Sequence, residues 1–410
     1  MNKYQKKILA ALSTGAMLLS TFSPAFAADT TLIIGENGAN SNNDINVTST
    51  NNQVVNQTNN AVVTNNINVD AETGNNDANN NTGGDVDIET GNASANVNVS
   101  NLLNKNVANI DCCDAGNTEV LIAENGYNSD NNVNLNKTSN IGIWQNNKAN
   151  VTNNLDVDAD TGDNDAEKNT GGNVTVKTGD ASANVSVSTV ANANKAFIGD
   201  GNGSGSKVSA WIVGNGANSN NDINLTLNKS INIDQYNNAY VTNNLDVDAE
   251  TGNNDANNNT GGDVTIDTGA ASADVVVDNL LNLNWADVPC DCLLGDIFAK
   301  IAKNGADSDN DIKAHLKDNL GLWQDNYTYL KNKLWVDADS GDNDAEKNTG
   351  GVNGGDPSIT TGDAEADVAV FNTGDANIYG DPGPWWPLSW GEIEVNVTIS
   401  LDDLLDLLGL

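Results

Sequence analysis

The chain has 410 residues, with 56 acidic side chains against 18 basic ones and a formal net charge of −38. All 18 basic residues are Lys, and aromatic residues make up 5% of the total. This balance excludes nucleic-acid binding and docking to anionic lipid, both of which need a cationic footprint, and leaves cations or basic polymers as natural partners. The first element is a secretory signal peptide over residues 1–27. Lys3, Lys6 and Lys7 form a basic start, Ile8 to Phe22 an apolar stretch, and Ala25-Phe26-Ala27 a small-x-small cleavage site. Cleavage after Ala27 removes three Lys and no acid, so the mature chain carries −41. No later segment is apolar enough to span a bilayer as a helix. The expected location is outside the cell, at a bacterial surface.

After the leader, one unit recurs four times. The segment Val69-Asp-Ala-Glu-Thr-Gly-Asn-Asn-Asp-Ala78 returns at 157–166, 247–256 and 336–345, and its Gly stands at 74, 162, 252 and 341. An upstream Asn-Gly pair repeats in step, with Gly at 38, 126, 216 and 305. The units are residues 28–118, 119–207, 208–296 and 297–380. A C-terminal segment, 381–410, follows as a cap or association surface. Composition rich in Asn and Gly suits disorder, but the strict register of apolar residues argues for an ordered repeat.

Within each unit a finer period is visible. Gly38, Gln57, Gly74 and Gly91 are spaced by 19, 17 and 17 residues, and the ladder returns in the other three units. Two residues beyond the first three steps of each unit stands a polar side chain, Asp307 and otherwise Asn: Asn40, Asn59 and Asn76; Asn128, Asn147 and Asn164; Asn218, Asn237 and Asn254; Asn326 and Asn343; the fourth step has Ala. Four residues beyond, 11 of 16 steps have Ala. Before each turn, apolar and polar residues alternate, as in Val69, Ala71, Thr73, which is the signature of a strand with one buried face. The pattern predicts an all-β solenoid. Each rung has 17 to 18 residues and two short strands, with about five rungs per unit and roughly 21 rungs in a rod of about 100 Å. The Asn residues would form an inward amide ladder, and Gly would supply positive φ at the turns. A row of immunoglobulin-like sandwiches, one per unit, is the alternative.

The steps Gln57–Ala61, Gln145–Ala149 and Gln235–Ala239, of the form Gln-x-Asn-x-Ala, resemble the curlin-type repeats of bacterial surface fibres. That resemblance covers one step in five and implies a stacked core lined by Gln and Asn. The step length is similar to that of calcium-binding β-rolls of secreted toxins, whose Gly-Gly-x-Gly-x-Asp nonapeptide this chain lacks.

Little in the sequence suits catalysis. One His, His315, lies in a part of unit four without counterparts, and no nucleophile elbow, phosphate loop or zinc motif occurs. The chain reads as a non-enzyme. Carboxylates alternate around Gly turns as Asp158, Asp160, Asp163, Asp165 and as Asp337, Asp339, Asp342, Asp344, with a further set Asp307, Asp309, Asp311. Such sets resemble a Ca2+ loop; the plain alternative is a solvated acidic surface. On a 17-residue rung, Asp70 would stack on Asp87, Glu72 on Glu89, Glu250 on Asp267, and Asp160 on Lys177.

Cys112, Cys113, Cys290 and Cys292 form two clusters whose spacing does not fit a zinc knuckle. Cys112 and Cys290 are equivalent sites, ten short rungs and roughly 48 Å apart. Local or inter-chain disulfides are therefore expected. Trp385, Trp386 and Trp390 fall in the C-terminal segment, as a cap or a ligand-facing end. The sequence as a whole predicts a secreted structural protein, a fibre, sheath or surface-layer component that associates with itself or with other envelope components. The competing class is an adhesin or stalk presenting its Trp-rich end.

Overall fold

The computed structural model describes residues 29–110, 117–199, 207–289, 296–351 and 355–381. Unit one lays down β1 (Thr30–Gly35), β2 (Asn42–Glu72), β3 (Val86–Glu89) and β4 (Ala93–Ile110). Unit two repeats them as β5 (Thr118–Ala123), β6 (Asp130–Asp160), β7 (Val174–Lys177) and β8 (Ala181–Ile198). Unit three contributes β9 (Val208–Val213), β10 (Asn220–Glu250), β11 (Val264–Asp267) and β12 (Ala271–Asp287). Unit four ends the series with β13 (Ile297–Ala302), β14 (Asp309–Asp339), β15 (Ser358–Thr360) and β16 (Ala364–Tyr379). Each strand pairs in parallel only with its counterparts, which gives four sheets of four strands. The fold is an all-β repeat solenoid.

The rung is not the one the finer period suggests. Asn59 pairs with Asn147, Asn147 with Asn237, and Asn237 with Asn326. One coil is therefore a whole unit of about 89 residues, and the described chain makes four coils instead of roughly 21. The 17-residue steps lie end to end around a single coil: Gly38 precedes β2, Gln57 is within it, Gly74 follows it and Gly91 precedes β4. Stacking at the long period places like on like almost everywhere, which the approximate 17-residue likeness cannot do. The sandwich alternative is ruled out because, among the described residues, no unit has a sheet of its own. At 3.3 Å per residue the 31-residue strands run up to about 100 Å, whereas four stacked strands span only about 14 Å from first to last. The long dimension lies along the strands, not along the stack.

Strands of 31 residues far exceed the usual 5 to 6. Sheet twist ordinarily limits length, and side-chain ladders are what hold a long sheet flat. The facing layers close on each other in alternating apolar and amide zones. Ile34 of β1 meets Ile45 and Val47 of β2. Farther along, Val55 packs with Ala108 and Ile110, and Ile67, Val69 and Ala71 pack with Ala93 to Val99 of β4. Between these zones Asn59 donates to Asn106 Oδ1 at 2.8 Å, and Asn65 to Asn101 Oδ1 at 3.1 Å.

Turn chemistry also differs from the expectation. Positive φ falls on Asn40, Asn128, Asn218 and Asp307, and on Asn75, Asp163, Asn253 and Asp342, residues that tolerate the left-handed region. The repeated Gly74, Gly162 and Gly252 are needed for another reason. A β-carbon on Gly162 would stand 1.9 Å from the Gly252 carbonyl oxygen, so the backbones of successive coils touch there. A second set at Asn104, Asn192, Asn282 and Asp375 puts a left-handed residue inside β4, β8, β12 and β16 and interrupts their alternation.

Candidate functional site

The recurring side chains are arranged in columns, each residue above its own counterpart in the next coil. Asn59, Asn147, Asn237 and Asn326 form an inward column in which each Nδ2 donates to the next Oδ1, at 3.0, 3.1 and 3.0 Å. Asn76, Asn164, Asn254 and Asn343 do the same at 2.8, 2.7 and 2.7 Å. In the two middle coils these amides are 0 to 1% exposed, so full pairing offsets a desolvation cost that would otherwise be prohibitive. Asn40, Asn128 and Asn218 point outward instead: Asn128 donates to Asn40 Oδ1 at 2.8 Å and Asn218 to the Tyr127 hydroxyl at 2.7 Å, all at the surface.

Further columns were not singled out from the sequence. Asn43, Asn131, Asn221 and Asn310 form one, and Asn106, Asn194, Asn284 and Asn377 another on the facing layer. The Gln residues of the curlin-like steps form a column of opposite polarity, Gln145 to Gln57, Gln235 to Gln145 and Gln324 to Gln235, at 2.8, 2.8 and 2.7 Å. The missed signal was strand parity. Counting every second residue from Asn59 marks Asn65, and the same count back from it marks Asn43.

The acidic side chains also stack on their counterparts. Asp70, Asp158, Asp248 and Asp337 share a column, as do Glu72, Asp160, Glu250 and Asp339. Asp87 and Glu89 lie elsewhere in the coil, so the expected Asp70–Asp87 and Glu72–Glu89 neighbours do not form, nor does Glu250–Asp267. Lys177 stands between Glu89 and Asp267, not beside Asp160. Burial is the main cause that raises the pKa of Asp158, Asp160 and Asp248, with neighbouring carboxylates adding to it. Glu250 is pushed up to about 7, first by burial and then by Asp160, Asp163 and Asp339.

The predicted Ca2+ loops do not gather their ligands. Among the described residues no group of three or more acids converges to hold a metal ion. Asp160 and Asp339 each turn one carboxylate oxygen to the turn backbone, accepting from Gly162 N and Gly341 N at 2.6 Å. Asp163 and Asp342 are the left-handed turn residues beside them. Asp165 and Asp344 make isolated bridges to Asp255. Asp307 is a turn residue, Asp309 begins β14, and Asp311 pairs with Lys313 at 2.6 Å.

The four cysteines, the expected signal peptide over residues 1–27, and Trp385, Trp386 and Trp390 lie outside the described residues. The strand ends that flank the cysteine segments are informative. Ile110 pairs with Ile198, and Asp287 with Phe197, so the equivalent sites after β4 and β12 are two coils apart, about 9.6 Å at strand spacing. The roughly 48 Å expectation rested on a 17-residue stacking period that these strands do not have. His315 is exposed on the edge strand β14.

The outward face of the long sheet carries one further feature, an open groove of about 460 Å3 that crosses the strands. Asn66, Asn154 and Asn244 line it together with Asp246, Lys333 and Trp335. Trp335 is 67% exposed, and Trp323, Tyr327 and Tyr329 are exposed on the same strand. Among the described residues no helix is long and apolar enough to cross a membrane. No family model, curated protein or solved structure matches the chain.

Proposed function

We propose that the chain is a secreted structural protein of the bacterial cell exterior, a component of a fibre, sheath or surface layer, and not an enzyme. The observation that carries the reading is where the recurring residues are spent. The repeated Asn, Gln, Gly and Ala side chains contact their own counterparts in adjacent coils, so the repeat serves stacking, and among the described residues no cluster of His or acidic side chains that could hold a metal forms. A leader of signal-peptide form and a strongly acidic, Arg-free surface support an exterior location. Fractionation of the producing cells, with N-terminal sequencing of the mature chain, tests it. The expected result is a chain beginning at Ala28 in the envelope or medium; an uncleaved chain in the cytoplasm overturns the reading.

A second reading, a glycan-binding adhesin, is favoured by the groove beside Trp335. An exposed indole next to amides and a carboxylate suits a sugar ring, whose C–H face stacks while its hydroxyls are hydrogen-bonded. Retention on neutral polysaccharide resins that is lost in Trp335→Ala would support it.

A further inference from the structure

Among the described residues the two ends of the stack are open sheet edges. In the middle coils Ile223 and Leu225 are 0 and 1% exposed, while Ile312 of unit four, directly above Ile223, is 45% exposed. β1 to β4 at one end and β13 to β16 at the other pair on one side only. Unpaired edges of this length template further strands. Because every coil repeats the same strands, the outer side of unit four offers what unit two offers to unit three. The outer side of unit one likewise offers what unit three offers to unit two.

The columns give these ends opposite polarity. Nearly all inward Asn columns donate from each coil to the next, ending on Asn304, Asn310, Asn326, Asn332 and Asn343. Unit four thus presents amide N–H groups and unit one presents amide oxygens such as those of Asn59 and Asn65. Donors meet acceptors only when unit four of one copy meets unit one of another.

The glycines point the same way. β-Carbons on Gly179, Gly269 and Gly362 would each strike the coil before them, at 2.4 Å or less from the nearest atom. Gly91, their counterpart in unit one, has nothing within 4 Å and does not adopt positive φ. At the other end, β-carbons on Gly74, Gly162 and Gly252 would strike the following coil, while Gly341 would meet only the Asp339 side chain, at 3.1 Å. Among the described residues, neither contact nor conformation requires Gly at 91 or 341. A further coil would require it at both.

We infer that copies of this chain stack head to tail, unit four on unit one, with β13 continuing onto β1, β14 onto β2, β15 onto β3 and β16 onto β4. The contact joins two different surfaces by translation along the stack, so it does not close and grows a filament. The acidic columns continue across each junction, with Asp337 over Asp70 and Asp339 over Glu72, so screening by salt speeds growth. This deepens the structural reading by naming the partner, and it is tested on purified protein, independently of cellular location.

The test uses the full mature chain and two variants, Gly91→Leu, which blocks the unit-one edge, and Gly341→Leu, which blocks the unit-four edge. In physiological salt the wild type forms filaments by electron microscopy. Each variant alone stays monomeric by light scattering, with unchanged strand content. A mixture of the two gives 1:1 dimers, because each retains the edge the other needs. A dimer formed by either variant alone would mean that like edges pair, and would overturn the polarity. A wild type that stays monomeric, as when residues 382–410 cover the unit-four edge, overturns the stacking itself; a chain that polymerises from the cytoplasm overturns only the exterior function.

Discussion

Asn147 shows how much a single position must satisfy. Its amide accepts from Asn59 and Asn106 and donates to Asn194 and Asn237, all within 3.1 Å, with no exposed surface. Asn147→Asp keeps the shape but replaces every donated bond with a buried charge, and is expected to destabilise the stack by several kcal/mol. Asn128→Asp, on the surface, should cost less than about 0.5 kcal/mol. Thermal melts of the pair check this; equal effects would mean that the inward column is hydrated. Gly162→Ala forces two coil backbones apart and is expected to cost about 3 kcal/mol, against almost nothing for Gly38→Ala, whose β-carbon meets nothing within 4 Å.

At the scale of the element, the acidic columns set the pH response. The Glu250 carboxyl is pushed up to about 7 in the folded chain, above its ordinary value of 4.5, first by burial. Between those values the folded state holds more protons than the unfolded one, so its stability falls as pH rises through that window and is level below it. The melting temperature is therefore expected to be higher at pH 5 than at pH 8. Glu250→Gln should flatten part of that dependence and, with the shift discounted for its partial exposure, raise stability at pH 8 by about 1 kcal/mol. A melting temperature that rises between pH 5 and pH 8 would show that the columns are relieved by bound cations or relaxation. Lys137, on the inward side of β6 and donating to the Thr118 hydroxyl at 2.9 Å, has its pKa lowered by burial and acts in the opposite sense: stability rises with pH between that lowered value and the ordinary lysine range.

For the molecule as a whole, the coil is the unit of construction. Repeat arrays lose or gain whole repeats with roughly additive effect on stability. Removing residues 207–295 deletes one coil and brings unit four onto unit two with every column continuous. That variant is expected to fold with unchanged strand content per residue and a lower melting temperature. Removing residues 163–179, one step of the finer period, takes the bend and the short strand β7 from one coil, and is expected to abolish the cooperative transition. Circular dichroism melts of the two deletions distinguish an 89-residue rung from a 17-residue one, since a short rung would tolerate the second deletion better than the first.

From the sequence alone came the all-β class, the fourfold repeat, the period-two strands, and the inward amides at Asn59, Asn76 and their counterparts, because each rests on a local pattern. Alternation marks a strand whatever it pairs with, and Asn-Gly marks a turn whatever crosses it. Which copy stacks on which was not local. Both the 17-residue and the 89-residue periods are compatible with parallel ladders, and only the tertiary structure shows the long one satisfying all columns at once. That choice also decided that Asn40 faces water while Asn59 faces inward, like its buried counterparts Asn147 and Asn237: the two share an offset from their step but not a strand parity. It decided as well that Asp160 accepts from the backbone of its own turn, and that Gly74 is kept for the passage of one backbone over another. The physical reason is common to all of these: a side chain's own residue type specifies its local conformation, but its neighbours across the stack are set by the register of the whole coil.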